Sequence, residues 1–428
     1  MDEIEIVPLR HPLAASIRVP GSKSITNRAL LLAAMAEGRS TLFAVGLNDD
    51  TRRMAGALHT LGFELGVDEA AARIVVHGRA GAIPARGAEL DVAGAGTAMR
   101  FLLGFLTLGR GRFRLDGNRR MRERPIGPLL DTLVELGVPV RAERGNGCPP
   151  VVIESTADGV RGGSARIDAS VSSQFVSALL MPAPLWRDGL ELLVTGEAGR
   201  PFITMTMRLM AQWGANARIE GSAIIVPGGQ HYAARNFEVE PDASSASYFA
   251  AAAATVGGSI LLKGLRADSA QGDIAFMKLL ERMGARVGWR DDGVEVSGSG
   301  NLAGVDVVMS GMPDLVPTLA AIAPYCSSPT RIRGVAFIRH HESDRLRVIA
   351  TELQRLGAAV HECEDGMLIE PSRLTPAAIE TYDDHRIAMA FAVAGLKTAG
   401  IRIRNPGCVS KTYPDFFRDL ALLADLHT

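Results

Sequence analysis

The sequence predicts an α/β protein of two similar globular domains, each of three repeated βαβ-type units, with a cleft between them. Three observations predict it. A helix head recurs at nearly even spacing, at Ser22, Gly96, Ser172, Ser245, Asp314 and Asp384. Behind each head comes an apolar helical run and then a short strand rich in β-branched residues, as in STLFAVG, RFRLDG and LELLVTG. In five copies a second helix then stops on an apolar residue and a glycine, at Leu61-Gly62, Leu136-Gly137, Trp213-Gly214, Met283-Gly284 and Leu356-Gly357. Glycine in that place is the left-handed end of a helix.

Taken in order, the first head is PGSKSITNRALLLAAMA (20–36), where Ser22 caps a helix carrying Lys23, Ser24 and Arg28 in its first turns. The other heads open GTAMRFLLGFLTL, SSQFVSALLMPAP, SSASYFAAAAATV, PDLVPTLAAIAPY and DHRIAMAFAVAGL. Each complete unit closes on two strands around a polar turn, as in ARVGWRDDGVEVSG and AAVHECEDGMLIEP. The sixth unit is short: its second helix, Asp415–Leu426, runs to the end of the sequence. Two strand-like runs near the start, Glu3–Val7 and Ala15–Val19, are expected to form a hairpin that completes it. The predicted domains are therefore residues 21–240, and residues 1–20 with 241–428. The chain passes between them near Pro20-Gly21 and Glu240-Pro241.

Composition narrows the function. The 428 residues are 47% hydrophobic and 22% charged, with a net charge of −1. No global field draws nucleic acid or an anionic membrane, so recognition of anions has to be local. The four cysteines are scattered without paired or metal-ligand spacing, as in a reduced, cytoplasmic protein. The acidic start MDEIEIVPL lacks the regions of a signal peptide, and apolar runs fall short of the ~20 residues of a membrane span. A monomer without membrane or nucleic-acid partners is the expectation. No metal-ligand set and no P-loop appears, and Gly94, Gly96 and Gly104 do not make a dinucleotide fingerprint.

The charged residues occupy equivalent places in the repeats. Helix heads carry Lys23, Ser24 and Arg28; Thr97 and Arg100; Ser172, Ser173 and Gln174; Asp314; and Asp384, His385 and Arg386. Segments after the strands carry Asp49-Asp50; Arg119, Arg120, Arg122 and Arg124; His341, Glu342, Asp344 and Arg345; and Lys411. Backbone donors and the positive dipole end of a helix favour anions, and arginine offers a fork for carboxylate or phosphate. Multiply charged anionic ligands follow. Asp314 and Glu342 stand among the cations as a candidate acid/base pair. Arg119, Arg120 and Arg122 read better as solvated surface, and Asp49-Asp50 as helix-capping residues. His385 is open between ligand contact and a structural hydrogen bond.

These residues resemble the enolpyruvyl transferase family, and its shikimate-pathway branch in particular. The resemblance covers essentially the whole chain. It rests on PGSKSITNRAL (20–30), AGTAMR (95–100), RMRERPIGPL (120–129), SSQFVSALL (172–180), DASSASYF (242–249), MPD (312–314), HESDRL (341–346), YDDHRIAMAF (382–391) and KTYPDFF (411–417). It implies the two-globule fold with the active site in the cleft, and transfer of enolpyruvyl from phosphoenolpyruvate to the 5-hydroxyl of shikimate-3-phosphate, with no cofactor. It implies shikimate-3-phosphate contacts at Lys23, Ser24, Arg28, Ser172, Ser173, Gln174, Asp314 and His341. It implies phosphoenolpyruvate contacts at Lys23, Gly96, Arg124, Gln174, Arg345, Arg386 and Lys411. Asp314 is similar to the family's proton acceptor and Glu342 to its proton donor, with Lys23 as a third catalytic residue.

The sequence departs from the familiar pattern on the acceptor side. In GEAGRPF (196–202), Gly199 and Phe202 replace a Ser and a Tyr, Phe337 replaces an Asn, and His341 stands where a Lys is common. As a substitute for Lys, His341 is expected to carry a pH-dependent positive charge. Phe101 follows Arg100 where glyphosate-sensitive members have Pro, which predicts reduced sensitivity to that inhibitor. A paralogue using another acceptor is the nearest alternative. The UDP-N-acetylglucosamine enolpyruvyl transferases commonly carry a Cys in the loop matching Asn118–Arg124, and this chain has none there. RNA 3′-phosphate cyclases share the repeat design, but the charge and the absence of a base-stacking surface argue against RNA. A binding protein without catalysis needs neither Asp314 nor Glu342.

Overall fold

The computed structural model describes residues 2–155, 159–196 and 199–425. Its contacts divide the chain into two compact units, Gly21–Val239 and Met1–Pro20 with Glu240–Thr428. They are called the N-half and C-half units below. Glu240, expected at the end of the first globule, groups with the C-half unit.

In the N-half unit the helices are α1 (Lys23–Met35), α2 (Asp49–Thr60), α3 (Gly96–Phe105), α4 (Gly127–Glu135), α5 (Gln174–Leu180) and α6 (Arg200–Gln212). In the C-half unit they are α7 (Ala243–Val256), α8 (Ala275–Arg282), α9 (Val316–Ile322), α10 (Arg345–Arg355), α11 (His385–Gly395) and α12 (Phe416–Asp425). Odd-numbered helices are the first of each repeat, even-numbered the second. Leu426, assigned to the last helix from sequence, lies outside the described residues.

The two kinds of helix have different burial because they have different sequences. The first helices are apolar all round and form the interior of each unit. In α1 every residue from Ile25 to Met35 is buried, and in α7 every residue from Ala243 to Thr255. Helices α7, α9 and α11 pack on one another, as α3 does on α5. Gly104 permits the second contact, since a Cβ there would lie 1.9 Å from the Ala178 carbonyl oxygen. The second helices are amphipathic and bury one face. The five predicted glycine stops all have positive φ, from +80° at Gly137 to +106° at Gly284.

The sheets show one leading strand per repeat that sequence reading did not assign to its repeat. In the second repeat the order is Gly87–Asp91, Gly111–Asp116, Val151–Ser155, Val140–Ala142. The leading strand runs before the first helix and pairs parallel with the strand after it; the other pairs are antiparallel. The same order recurs with leading strands Gly163–Asp168, Leu13–Ile17 and Asp306–Val308, and with Asn236–Glu238, which reaches the first repeat from the end of the N-half unit; the sheet led by Ala378–Ile379 has three strands.

The predicted N-terminal hairpin does not form. Leu13–Ile17 pairs parallel with Gly258–Lys263 and leads the fourth repeat. Glu3–Glu5 pairs antiparallel with Arg402–Arg404 and closes the sixth. The reason is directional: a leading strand has to run parallel to its neighbour, which a hairpin partner cannot do while its mate fills the same sheet. The first residues therefore tie two repeats of the C-half unit together.

Two heads also start differently from expectation. Helix α7 begins at Ala243 rather than Ser245, because the Asp242 side chain caps it, accepting from the Ser245 amide at 2.7 Å. Asp314 lies in a single 3-10 turn, Pro313–Leu315, that enters α9.

Candidate active site

In the C-half unit the head of α11 and the segment after the strand Thr330–Arg333 converge on one side chain. Arg345 opens α10 and its guanidinium is 1% exposed. It donates to Asp384 Oδ2 at 2.8 Å, to Asp314 Oδ1 at 2.8 Å and to Glu342 Oε2 at 2.7 Å. Asp314 is shared: its Oδ2 accepts from Arg386 Nη2 at 2.6 Å. Asp384 caps α11 through the Arg386 amide and accepts from the Ser343 hydroxyl at 3.0 Å. Tyr382 and Asp383, with φ of +54° and +56°, form the left-handed turn that presents this cap. Five predicted site residues, Asp314, His341, Glu342, Arg345 and Arg386, are thus brought together, and Asp384 organises them. Lys411 ends the 3-10 turn Pro406–Lys411, which packs against α11.

Burial works against both guanidiniums, but the surrounding carboxylates outweigh it and hold both well above the ordinary arginine value. For Arg345 these are Asp384, Glu342 and Asp314; for Arg386 the first is Asp314. The two candidate acid/base groups keep some access, with Asp314 22% and Glu342 16% exposed. Two carboxyl groups pinned to one buried cation have fixed separation and orientation, which proton transfer to a bound ligand requires.

His341, expected from the sequence to carry a pH-dependent charge in place of a Lys, lies against Arg345. Its Nδ1 lies 3.0 Å from Arg345 Nη1, and because a guanidinium only donates, Nδ1 accepts here. The Phe337 ring meets the imidazole edge-on, with centroids 5.9 Å apart. These two departures from the family pattern form one contact. His341→Lys places a second cation against Arg345, and is expected to raise the acceptor KM rather than flatten its pH profile. Steady-state kinetics from pH 6 to 9 checks this, and an unchanged KM contradicts it.

In the N-half unit the first-helix heads carry a different set. Arg28 is fully buried on α1 and reaches across the interior. It donates to Thr206 Oγ1 at 2.7 Å, Ser177 Oγ at 3.2 Å and the Ser24 carbonyl at 3.0 Å, and stacks on the Phe101 ring at 4.8 Å. All of these partners are neutral. Burial with no carboxylate beside it pulls Arg28 down to about 9. A buried cation in this state favours an anionic ligand.

Lys23 pairs with Asp50 at 3.1 Å. Asp49 and Asp50 begin α2, but its cap is Asn48, in a reciprocal box with Thr51. Ser172 Oγ accepts from the Gln174 amide at 3.2 Å, Ser173 is the cap residue of α5, and Gln174 Nε2 reaches Thr97 Oγ1 on α3 at 3.5 Å. Gly199, with φ of +66°, caps α6; a Cβ there would lie 2.6 Å from Ser173 Oγ, so a larger residue here requires that hydroxyl to move. Its neighbours Glu197 and Ala198 lie outside the described residues. The Phe202 carbonyl accepts from Arg28 at 3.4 Å, a contact made by backbone and open to any side chain.

Arg124 lies against Gly96, where a Cβ would come within 2.7 Å of its Nη1. The resemblance places phosphoenolpyruvate at Gly96 and Arg124, and on that expectation Gly96→Ala displaces the guanidinium and raises the phosphoenolpyruvate KM about tenfold or more, the scale of one charge-assisted contact. The acceptor KM should change little. Equal changes in both constants would contradict this. Arg100 supports the loop from behind, donating to the Gly96 and Pro125 carbonyls at 3.2 and 3.4 Å. Arg119 and Arg120 pair with Glu123 at the surface, and Arg122 pairs with the buried carboxylate of Asp116.

Sequence reading missed Asp384 as an organiser, Thr206 and Ser177 as supports of Arg28, and Phe101 as its stacking partner. Asp384 had a signal in its cap position beside Arg386. The others had none, because they come from different repeats.

A model of the EPSP synthase family (3-phosphoshikimate 1-carboxyvinyltransferase) matches residues 8–420. The chain is 47% identical over 419 residues to the 3-phosphoshikimate 1-carboxyvinyltransferase of Nostoc sp., covering 97% of this chain and 98% of that one. It is 43% identical over 433 residues to the Vibrio vulnificus protein of that name, with both chains fully covered. Among solved structures, the EPSP synthase of Acinetobacter baumannii superposes with a TM-score of 0.82 at 27% identity, covering 99% of this chain and 98% of that one. The chain belongs to the EPSP synthase family, the 3-phosphoshikimate 1-carboxyvinyltransferases.

Proposed function

We propose that this protein transfers the enolpyruvyl group of phosphoenolpyruvate to the 5-hydroxyl of shikimate-3-phosphate and releases phosphate, as a cytoplasmic monomer that binds no nucleic acid. The observation that carries the reading is Arg345 holding both Asp314 and Glu342. Among the described residues no helix is long and apolar enough to cross a membrane.

Glu342 gives a proton to C3 of phosphoenolpyruvate while Asp314 takes the proton of the attacking 5-hydroxyl, whose oxygen bonds to C2. The resulting tetrahedral adduct then gives one of the three hydrogens of its C3 methyl group, as a proton, back to the ionised Glu342, and the bond from C2 to the phosphate oxygen breaks. Arg345, Arg386, Arg124, Gly96, Gln174 and Lys411 hold phosphoenolpyruvate, with Lys23 placed to stabilise the phosphate as it leaves. Arg28, Ser24, Ser172, Ser173, Gln174 and Lys23 hold shikimate-3-phosphate, with His341 and Asp314 beside the reacting hydroxyl. A cation already buried and positioned needs no reorganisation when charge develops, and this is why arginines set in neutral or acidic cages suit the task. The test is phosphate release from phosphoenolpyruvate. Release that depends on shikimate-3-phosphate supports the reading; equal release without it, or with UDP-N-acetylglucosamine in its place, rejects it.

A further inference from the structure

The chemistry above does not use the buried carboxyl of Asp273. Asp273 lies in the 3-10 turn Gly272–Ile274 leading into α8, and is 4% exposed. Gln271 ties this turn to the head of α7, accepting from the Ala243 amide at 3.0 Å and donating to the Pro241 carbonyl at 2.8 Å. Asp273 Oδ2 accepts from the Ser244 hydroxyl on α7. Its Oδ1 is buried and has no hydrogen-bond partner among the described residues. An anion with an unsatisfied oxygen is far costlier to bury than the neutral acid.

The surroundings raise that cost. The charged groups facing Asp273 are Asp242 at the cap of α7, Asp314 before α9 and Arg386 on α11. Glu240, on the outer side of the turn, is held by Ser269 and Gln271. Two carboxylates thus face Asp273 against one guanidinium, and that guanidinium is already bonded to Asp314. Burial and then the Asp314 charge push the Asp273 carboxyl up to about 7, with Asp242 adding to the rise and Ser244 and Arg386 opposing it.

We propose that Asp273 is a positioning residue that works by keeping a proton: as the neutral acid it leaves the positive charge of Arg386 to the carboxylate of a bound anion, and as the anion it competes with that ligand. The proposal rests on the reading of Arg386 as a phosphoenolpyruvate contact. When Asp273 ionises, its proton passes to solvent and the local charge falls by one unit, so ligand affinity drops as pH rises through neutrality. The same titration acts on stability. The folded protein binds this proton more tightly than the unfolded chain, so the stability it contributes is complete below about pH 4 and is lost as pH rises through about 7. Asparagine has the shape of the neutral acid and no proton to lose.

The test uses Asp273→Asn and Ser244→Ala in the full-length protein. In thermal unfolding from pH 5 to 9, Asp273→Asn should gain stability relative to the natural protein as the pH rises. Ser244→Ala should keep the pH dependence with its midpoint moved upward, because the hydroxyl that favours the anion is gone. This second variant also serves if Asp273→Asn fails to fold. A pH-independent offset for Asp273→Asn, or an unmoved midpoint for Ser244→Ala, overturns the claim that Asp273 holds the proton. The phosphoenolpyruvate KM of the natural protein should rise about three- to tenfold more than that of Asp273→Asn between pH 6 and 8.5. Parallel profiles overturn the link to Arg386. If Arg386→Gln leaves that KM unchanged, the ligand reading itself fails, and the unfolding series reports the proton on Asp273 independently.

Discussion

Glu342→Gln is expected to bind both substrates and to lose turnover by about 10²–10⁴-fold, the contribution of a positioned acid. Gln matches Glu in size, and its carbonyl oxygen can keep the bond that Glu342 Oε2 now accepts from Arg345 at 2.7 Å. The variant therefore removes the proton and leaves the arrangement. In steady-state kinetics kcat should fall while both KM values stay within a few-fold. Asp314→Asn differs in a telling way. Asp314 joins Arg345 to Arg386 through both of its oxygens, so its loss disturbs ligand binding as well as proton transfer. Here kcat should fall and the phosphoenolpyruvate KM should rise. A Gln variant within tenfold of the natural rate removes Glu342 from the chemistry.

Arg345→Gln is expected to be the most destabilising single change at the site. It leaves Asp314, Glu342 and Asp384 without the cation that all three now share. Removing one partner of a buried ion pair costs about 3–5 kcal/mol. The sign with pH follows from the carboxylates. A buried carboxylate stripped of its counter-ion is costly as the anion and much less so as the neutral acid, so the variant's stability falls as pH rises. Unfolding by urea at pH 5.5 and pH 8 should show the larger loss at pH 8. A deficit of equal size at both values would mean that the charges are not what Arg345 supports.

The repeat was legible because its signals are local. An apolar helical run, a β-branched strand and a glycine stop can each be read within about a dozen residues. The leading strands were not legible for the opposite reason. Runs such as Asp306–Val308 and Ala378–Ile379 are three and two residues long, and they exist as strands only through a parallel partner beyond the next helix. The N-terminal error has the same origin: two nearby strand-like runs imply a hairpin until the parallel demand of the fourth repeat is known.

At the site, the head-and-segment pattern found Asp314, Glu342, Arg345 and Arg386. It did not show that one guanidinium holds the other groups in place, because that depends on side chains meeting across repeats. His341 shows the limit of substitution by chemical class. A His in place of a Lys reads as a cation until Arg345 is found donating to its ring nitrogen. Phe101 is a similar case: the sequence marks it only as the residue that stands in place of Pro after Arg100, and its contact with Arg28 appears only once the two helices are packed.

The central claim is that Glu342 adds a proton to C3 of phosphoenolpyruvate and that the adduct then gives one back. Adduct formation makes C3 a methyl group for a moment, so solvent hydrogen has to enter that carbon. The direct measurement is the reaction in deuterated water with shikimate-3-phosphate present, reading deuterium at C3 of the product and of recovered phosphoenolpyruvate by mass spectrometry. The account predicts incorporation only with the acceptor present, and its loss in Glu342→Gln. Product formed with no deuterium at C3, or undiminished incorporation in Glu342→Gln, would contradict it.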